Sequence, residues 1–381
     1  MAILPHGHSI CTCTCPGAQP PPHVLPTLCR LAIPNIIAMV GSALAAIAET
    51  AYIGQLGVPA LAGMALVFPL LMLQQMFSGG AMGGGVASLV ARALGAGNVA
   101  RAEALVVHAL GIAVVAGLGT TALMLTLSDA VFGLLGGRGE PLAQAVAYAH
   151  VAFLGSTGVW LLNTLSAVLR ATGNMLVPSA LLVAVGVVQV ALAGVFGLGS
   201  GPIPRLGMLG IALGQVLAYG GGTLVLGWYL WAGKARIRLQ LRGTPWQPAL
   251  ARDLLQLGAK ACASPAQTIG TMMILNWLVA RTGPLALAGY GIGTRLEFLL
   301  VPLAFSFGAA SVPLIGMAIG AGQAARARRV GWTAAGMAAL LLGGAGLVLA
   351  VVPDLWTDRF THDPAVLAAA DTYFHWAGPL S

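Results

Sequence analysis

Apolar stretches of bilayer-spanning length follow one another along almost the whole chain. They fall at roughly 31–53, 61–91, 103–127, 142–169, 175–198, 208–232, 253–280, 285–317 and 329–352. About 20 apolar residues in a helix cross the hydrocarbon core of a membrane. The length of this chain therefore corresponds to a number of membrane spans and not to a number of globular domains. The pattern predicts an all-α polytopic membrane protein with about nine complete transmembrane helices.

Composition excludes the soluble classes of protein. Hydrophobic residues make up 58% of the chain and charged residues 7%, whereas soluble domains carry about a quarter charged residues. The sequence contains no HExxH, GxSxG or Walker A motif. We therefore predict a secondary transporter and not an enzyme, with no cofactor, and any uphill transport must draw on an ion gradient.

The basic residues orient the chain in the membrane. With a cytoplasmic N-terminus the inner segments hold twelve Lys and Arg residues and the outer segments hold four, as the positive-inside rule requires. The twelve are Arg30, Arg92, Arg101, Arg170, Lys234, Arg236, Arg238, Arg242, Arg252, Arg326, Arg328 and Arg329, and the four are Arg138, Arg205, Arg281 and Arg359. Because these residues lie between apolar runs and not on one basic face, nucleic acid is not predicted as a partner.

The chain divides into four segments. Residues 1–28 are predicted to be a disordered tail, whose His and Cys residues have no closed metal-ligand spacing. Residues 29–232 form an N-lobe of six helices, and the polar stretch 233–252 is a cytoplasmic linker. Residues 253–381 form a C-lobe of three helices and part of a fourth, which begins after Asp363-Pro364 and is expected to be cut short.

The two lobes are expected to be internal repeats around a central cavity. The segment Ala93–Gly97 has a counterpart in Ala318–Gly322, and Ala100–Ala102 has one in Ala325–Ala327, all about 225 residues apart. Repeated membrane halves that handle substrate between them are typical of transporters. Chance similarity between Ala/Gly-rich helices is the alternative.

Two carboxylates, Glu49 and Glu297, are the candidate ion-coupling residues because they lie well inside predicted spans. A charge there costs about 2.5–3.5 kcal/mol, so an intramembrane acid marks a functional site by default. Glu49 shares its helix face with Ala45 and Tyr52, and we expect this face to border a hydrated passage in which a proton or cation binds and leaves. A structural carboxyl group bonded to a neighbouring helix remains the alternative for both residues.

Several other polar residues within the spans are candidates for the lining of the substrate cavity. Interhelical hydrogen bonds are an equally open explanation for such residues. The candidates are Asn35, Tyr52, Asn163, Gln189, Gln215, Asn276 and Arg295. No metal site is predicted among them.

In several places the chain resembles the multidrug and toxic compound extrusion (MATE) family of cation-coupled antiporters. The most specific segment runs from Gly289 to Glu297, and Glu49–Gly57 is similar to the first-helix signature of that family. Further segments in the same order are Leu31–Pro34, Ser88–Arg92, Gly95–Gly97, Leu169–Asn174, Gly201–Pro204, Leu206–Gly207 and Gly320–Gln323. The resemblance covers nearly the whole chain from Leu31 onward.

The chain departs from the family pattern in three places. Glu49 stands where the family usually has Asp, and Gln189 and Ala193 stand where many members have Asn and Asp in the fifth helix. The family has twelve helices, so the resemblance implies that most of the tenth and all of the eleventh and twelfth are missing here.

The resulting hypothesis is a multi-pass inner-membrane antiporter, monomeric, that exports amphipathic and cationic organic compounds in exchange for H⁺ or Na⁺. Membrane lipid and a small organic substrate are its expected partners. One rival is a flippase for a lipid-linked precursor, which would require basic residues to meet phosphate. The other is a non-transporting remnant, which the missing helices favour.

Overall fold

The computed structural model describes residues 24–199, 204–237, 246–282 and 303–351. All regular elements within these ranges are helices. They are α1 Val24–Gly54, α2 Val58–Gln75, α3 Gly83–Gly95, α4 Val99–Leu134, α5 Gly139–Leu154, α6 Ser156–Ala171, α7 Leu176–Gly194, α8 Met208–Trp231, α9 Pro248–Thr282, α10 Leu303–Gly320 and α11 Ala324–Val351. Two segments have π-helical hydrogen bonding, Met76–Met82 between α2 and α3, and Val195–Gly199 after α7.

The predicted all-α membrane architecture is confirmed. Seven helical spans among the described residues are long and apolar enough to cross a membrane, with α2, the π-helical segment and α3 counted as one span. The number is eight if the bent pair α5 and α6 is also one span. These two helices meet at Gly155 at an angle of 49° and correspond to the predicted fourth span. The predicted seventh span is α9, which is 35 residues long but less apolar than helices α1–α8. The predicted tenth helix lies outside the described residues.

Helix α1 begins earlier than the sequence pattern indicated. It starts at Val24, so residues 24–28 belong to a helix and not to the predicted tail. Pro26 lies in the first turn of this helix, where a missing backbone N–H costs nothing because no intrahelical partner exists. The continuous apolar run begins at about residue 31, after the start of the helix. The boundary predicted from that run is therefore too late.

Helices α1–α8 pack as one bundle through small residues. Helix α7 contacts α1 and α8, while α4 and α3 pack against α6 and α2 packs against α5. A Cβ atom added at Gly186 would lie 3.5 Å from the Cβ of Ala45, and one at Gly214 would lie 2.7 Å from the backbone nitrogen of Ala193. Such close backbone approach is how helices associate where lipid removes most of the hydrophobic driving force.

The internal repeat is confirmed in the unit that joins α3 to α4 and α10 to α11. Gly97 and Gly322 both have φ of 73°, a left-handed conformation that favours glycine at the end of a helix. The Asn98 amide donates to the Ala93 carbonyl at 2.9 Å, and the Gln323 amide donates to the Ala318 carbonyl at 2.8 Å. Both turns therefore close with the same hydrogen bond, 225 positions apart.

The α3 and α10 helices cross at the same end of the bundle, which we call the basic end because α3 carries Arg92 there. A side chain at Gly95 would collide with the Met317 carbonyl, and one at Gly320 would collide with the Arg92 carbonyl. Because positions 92 and 317, and 95 and 320, correspond in the repeat, the two contacts are exchanged by a pseudo-twofold axis. The two repeats therefore touch backbone to backbone at this end.

Candidate functional site

Glu49 lies five residues before the end of α1, on the side of the bundle away from the basic end. Its side chain is buried, with 6% of the residue surface exposed. The Tyr148 hydroxyl donates to Glu49 Oε1 at 2.7 Å, and Gln189 Nε2 donates to Glu49 Oε2 at 2.8 Å. Both carboxyl oxygens therefore have a hydrogen-bond partner within the protein.

Tyr148 extends this arrangement to a fourth helix. Its hydroxyl oxygen lies 3.0 Å from Gln215 Oε1 as well as 2.7 Å from Glu49 Oε1. A tyrosine hydroxyl has one hydrogen, so it cannot donate to both oxygens at once. If Glu49 is ionised, the Tyr148 hydroxyl donates to Glu49, and the Gln215 amide turns its NH₂ group toward Tyr148. If Glu49 is protonated, the carboxyl group donates to the Tyr148 hydroxyl, and that hydroxyl donates to Gln215 Oε1. The coupling cluster, defined as Glu49, Tyr148, Gln189 and Gln215, therefore has one hydrogen-bond pattern for the ionised carboxyl group and a complementary one for the protonated group.

The packing of small residues brings the cluster together. Gly41 of α1 lies against Val183 of α7, and Ala45 lies against Gly186. The next turn of each helix carries Glu49 and Gln189, which therefore meet along the same interface. The close approach of α8 at Gly214 then places the neighbouring Gln215 side chain within reach of Tyr148 on α5.

A second polar cluster surrounds the π-helical segment Met76–Met82. Asn163 Nδ2 of α6 donates to Gln75 Oε1 at 2.9 Å and to Ser78 Oγ at 2.8 Å. Gln75 Nε2 in turn donates to the Tyr219 hydroxyl of α8 at 2.7 Å. Tyr219 lies one helical turn from Gln215, so α8 carries members of both clusters on one face.

A cleft of about 250 Å³ separates α9 and α10 from α3 and the π-helical segment. Glycine and alanine form much of its wall on the side of α3. Its lining residues are Gly80, Ala81, Gly84, Gly85, Ser88, Leu257, Ala261, Val312 and Ile315. Glu49 is not among them, so its carboxyl group does not line this cleft. The reason is that α5, α7 and α8 all supply side chains that cover the carboxyl group.

Of the candidate site residues predicted from the sequence, Glu49, Gln189 and Gln215 lie together in the coupling cluster. Asn163 belongs to the second polar cluster. Tyr52 packs its ring beside Gly194, with its hydroxyl 3.4 Å from where a Cβ would lie. Asn35 is buried in the half of α1 nearer the basic end, where its Nδ2 has no partner. The Asn276 side chain, Arg295 and Glu297 lie outside the described residues, so their roles stay predictions.

Sequence reasoning missed Tyr148, Gln75, Ser78 and Tyr219. Each lies inside an apolar run, where scattered tyrosine, serine and amide side chains are tolerated without any functional role. The available signal was helical spacing, since Tyr219 lies four residues after Gln215 and Ser78 lies three after Gln75. Within the described residues no group of three His, Cys, Asp or Glu side chains could hold a metal ion.

Comparison with known protein families gives one match, which covers most of the chain. The family model described as MatE matches residues 34–195 and 265–381. The matched ranges include Glu49, Tyr148 and Gln189 of the coupling cluster, whereas Gln215 lies between them.

Two relatives and one solved structure are similar to the chain. The FAD transporter of Shewanella oneidensis is 26% identical over 310 residues, which are 79% of this chain and 67% of that protein. The probable multidrug resistance protein NorM of Thermotoga maritima is 26% identical over 354 residues, 91% of this chain and 74% of that protein. A MOP superfamily transporter from Pyrococcus furiosus is similar in fold, with a TM-score of 0.83 and 21% identity over 92% of this chain and 78% of that one.

Proposed function

The chain belongs to the MatE family of transporters, and from this premise we propose that it is a proton-coupled antiporter that exports amphipathic, cationic organic compounds across the inner membrane. The observation that carries the proposal is the coupling cluster. Its carboxyl group is buried where a charge is costly, yet its partners can accommodate it with or without a proton. Such a group can gain a proton on one side of the membrane and lose it on the other as access alternates.

The partners of Glu49 favour a proton over Na⁺ as the coupling ion. Hard metal cations are bound by several oxygen ligands, whereas Gln189 presents an N–H donor to Glu49 Oε2 and Tyr148 presents a hydroxyl to Glu49 Oε1. A metal ion at this position would require the Gln189 amide to turn its oxygen inward and the Tyr148 hydroxyl hydrogen to turn away. A proton needs only the reversal of hydrogen bonds that already exist.

The charge around Glu49 favours a cationic substrate. Glu49 is the one carboxylate among the buried side chains of the described residues, and the other polar groups around it are amides and hydroxyls. The match to a probable multidrug resistance protein agrees with this substrate class. Orientation with a cytoplasmic N-terminus follows from the twelve-to-four distribution of basic residues.

Replacement of Glu49 tests the proposal. In proteoliposomes with an imposed proton gradient, the unmodified chain is expected to exchange a fluorescent organic cation for protons. Glu49→Gln removes the titratable group but keeps the shape of the side chain, so proton-driven exchange should fall to background. The measurement is dye movement together with the internal pH.

Two controls keep this experiment decisive. Glu103→Gln changes an acidic residue near the start of α4, outside the coupling cluster, and should leave exchange unchanged. Exchange driven equally well by a Na⁺ gradient at constant pH would contradict proton coupling. Unaltered proton-driven exchange in Glu49→Gln would remove Glu49 from the mechanism.

Transport of a phosphate-bearing compound is the second candidate function, favoured by the similarity to an FAD transporter. Phosphate recognition uses Arg or Lys side chains, and Arg170 brings its guanidinium group to 3.8 Å from the position of a Cβ on Gly83. The same proteoliposomes loaded with FAD test this function. Efflux of FAD without efflux of the organic cation would replace the first proposal, and movement of neither compound would contradict both candidate functions.

A further inference from the structure

The π-helical segment Met76–Met82 interrupts the second span beside the cleft that separates α9 and α10 from α3, which we call the interlobe cleft. The Gly83 amide donates to the carbonyl of Ser78, five residues earlier, as well as to that of Gly80. A Cβ at Gly83 would lie 3.1 Å from the Ser78 carbonyl oxygen, so glycine accommodates this crowded turn. Single π-turns inside helices contain an extra residue and occur frequently at functional sites.

Asn163 holds this segment from the neighbouring helix. The Ser78 hydroxyl uses its one hydrogen to donate to the Gln74 carbonyl at 2.7 Å, so it must accept from Asn163 Nδ2. The second Nδ2 hydrogen is donated to Gln75 Oε1. Both donors of the Asn163 amide are therefore used on the segment, and the direction of each hydrogen bond is fixed.

The segment determines which residues of α3 face the cleft. Beyond it, a Cβ at Gly84 would meet no atom within 4 Å, and Gly84 lines the cleft. A Cβ at Gly85 would lie 3.7 Å from the Leu257 side chain on α9. Gly84 therefore faces open space, and Gly85 faces α9.

We propose that Asn163 is a positioning residue that keeps the second span in its π-helical register and thereby sets which side of α3 forms the wall of the interlobe cleft. Without its two donors the segment closes into an ordinary α-helix, which takes up the extra residue of the π-turn and shifts the register of the helix beyond it by one residue. This inference concerns the shape of the cleft and does not require Glu49 to be the coupling residue.

The change of register has a defined geometry. Helix α2 is held by its close contact with α5, where a Cβ at Gly63 would lie 2.9 Å from the Pro141 carbonyl. Because the extra residue then occupies an α-helical position, the part of the helix beyond the turn rotates by about 100°. After that rotation Gly84, and no longer Gly85, faces Leu257.

Disulfide formation between α3 and α9 tests the proposal in the full-length chain. All five native cysteines are first replaced by serine, and the pairs Gly85→Cys with Leu257→Cys and Gly84→Cys with Leu257→Cys are compared in membranes. With Asn163 present, the Gly85 pair is expected to cross-link under mild oxidation. In Asn163→Leu its yield should fall by about an order of magnitude and the Gly84 pair should gain, because a disulfide cannot join Cα atoms more than about 7 Å apart.

A second substitution and a control make the outcome interpretable. Ser78→Ala removes one of the two acceptors and should shift the two yields in the same direction by a smaller factor, which provides a test if Asn163→Leu fails to fold. Ser166→Ala removes a buried hydroxyl without a partner from the same helix as Asn163 and should change neither yield. Equal yields for the Gly85 pair with and without Asn163 would overturn the proposal, whatever the result for Glu49→Gln.

Discussion

At the scale of single residues, the coupling cluster depends on the one hydrogen of the Tyr148 hydroxyl. That hydroxyl touches both Glu49 and Gln215, and no other side chain in the cluster reaches both. Its hydrogen must point to Glu49 when the carboxyl group is ionised and to Gln215 when it is protonated. Tyr148 therefore lets a buried carboxyl group change protonation without leaving either neighbour unpaired.

Tyr148→Phe should lower proton-driven exchange by about 10- to 100-fold, since a hydrogen bond to a charged group contributes about 1.5–3 kcal/mol. The fold should survive because the aromatic ring still fills the same buried space. Exchange rate and thermal stability are to be measured on the same preparation. Tyr229→Phe makes the same chemical change on α8 outside both clusters and should leave the rate unchanged, and an unchanged rate in Tyr148→Phe would show that the hydroxyl is dispensable.

At the scale of helices, glycine decides where two elements come into backbone contact. The α3 and α10 helices cross at Gly95 and Gly320, and a side chain at either position would strike a carbonyl of the opposite helix. A backbone carbonyl cannot move aside to accept a new side chain, whereas the end of a flexible side chain can. The crossing therefore requires glycine on both helices.

Gly320→Leu should lower the free energy of unfolding by about 1–3 kcal/mol, the usual range for added bulk in a packed interior. The comparison is Gly336→Leu on α11, where a Cβ would meet no atom within 4 Å and the change should stay within about 0.5 kcal/mol. Thermal unfolding in detergent measures both variants. Equal melting temperatures would mean that the helices are not in backbone contact at Gly320.

At the scale of the whole molecule, the two repeats close on each other at the basic end. Ala91 and Gly316 are equivalent positions, 225 residues apart, and a Cβ at Gly316 would lie 2.7 Å from the Cβ of Ala91. Residues related by a twofold axis touch each other only near that axis, so the axis passes between these two positions. Movement of one repeat against the other to open this end must separate them.

A disulfide between Ala91→Cys and Gly316→Cys should therefore stop exchange, and a reducing agent should restore it. The matched pair Gly41→Cys with Val183→Cys joins α1 to α7 within one bundle, where the side chain of Val183 lies 3.4 Å from a Cβ at Gly41. That cross-link should leave exchange intact. Continued transport with the first pair fully oxidised would show that this end does not open during the cycle.

The turn that is repeated after α3 and after α10 was predictable from the sequence, whereas the contact between the two repeats was not. The Ala-Gly motif at Gly95–Gly97 and Gly320–Gly322 predicted two equivalent units, and both have the same hydrogen bonds because glycine at a left-handed position is a local requirement. The reciprocal contact between the units was not predictable from the motif. It depends on the angle at which two helices distant in sequence meet.

The sequence alone determined the helical membrane architecture, the family resemblance and the presence of an acid, Glu49, within a span, because apolar run length and an acid within such a run are local properties. Only the tertiary structure decided that Glu49, Gln189, Tyr148 and Gln215 form one cluster, that Asn163 belongs to another, and that Glu49 is covered and does not line the cleft. The physical reason is that a polar side chain in a membrane span needs a partner, and the sequence states this need without stating which of several helices will supply that partner.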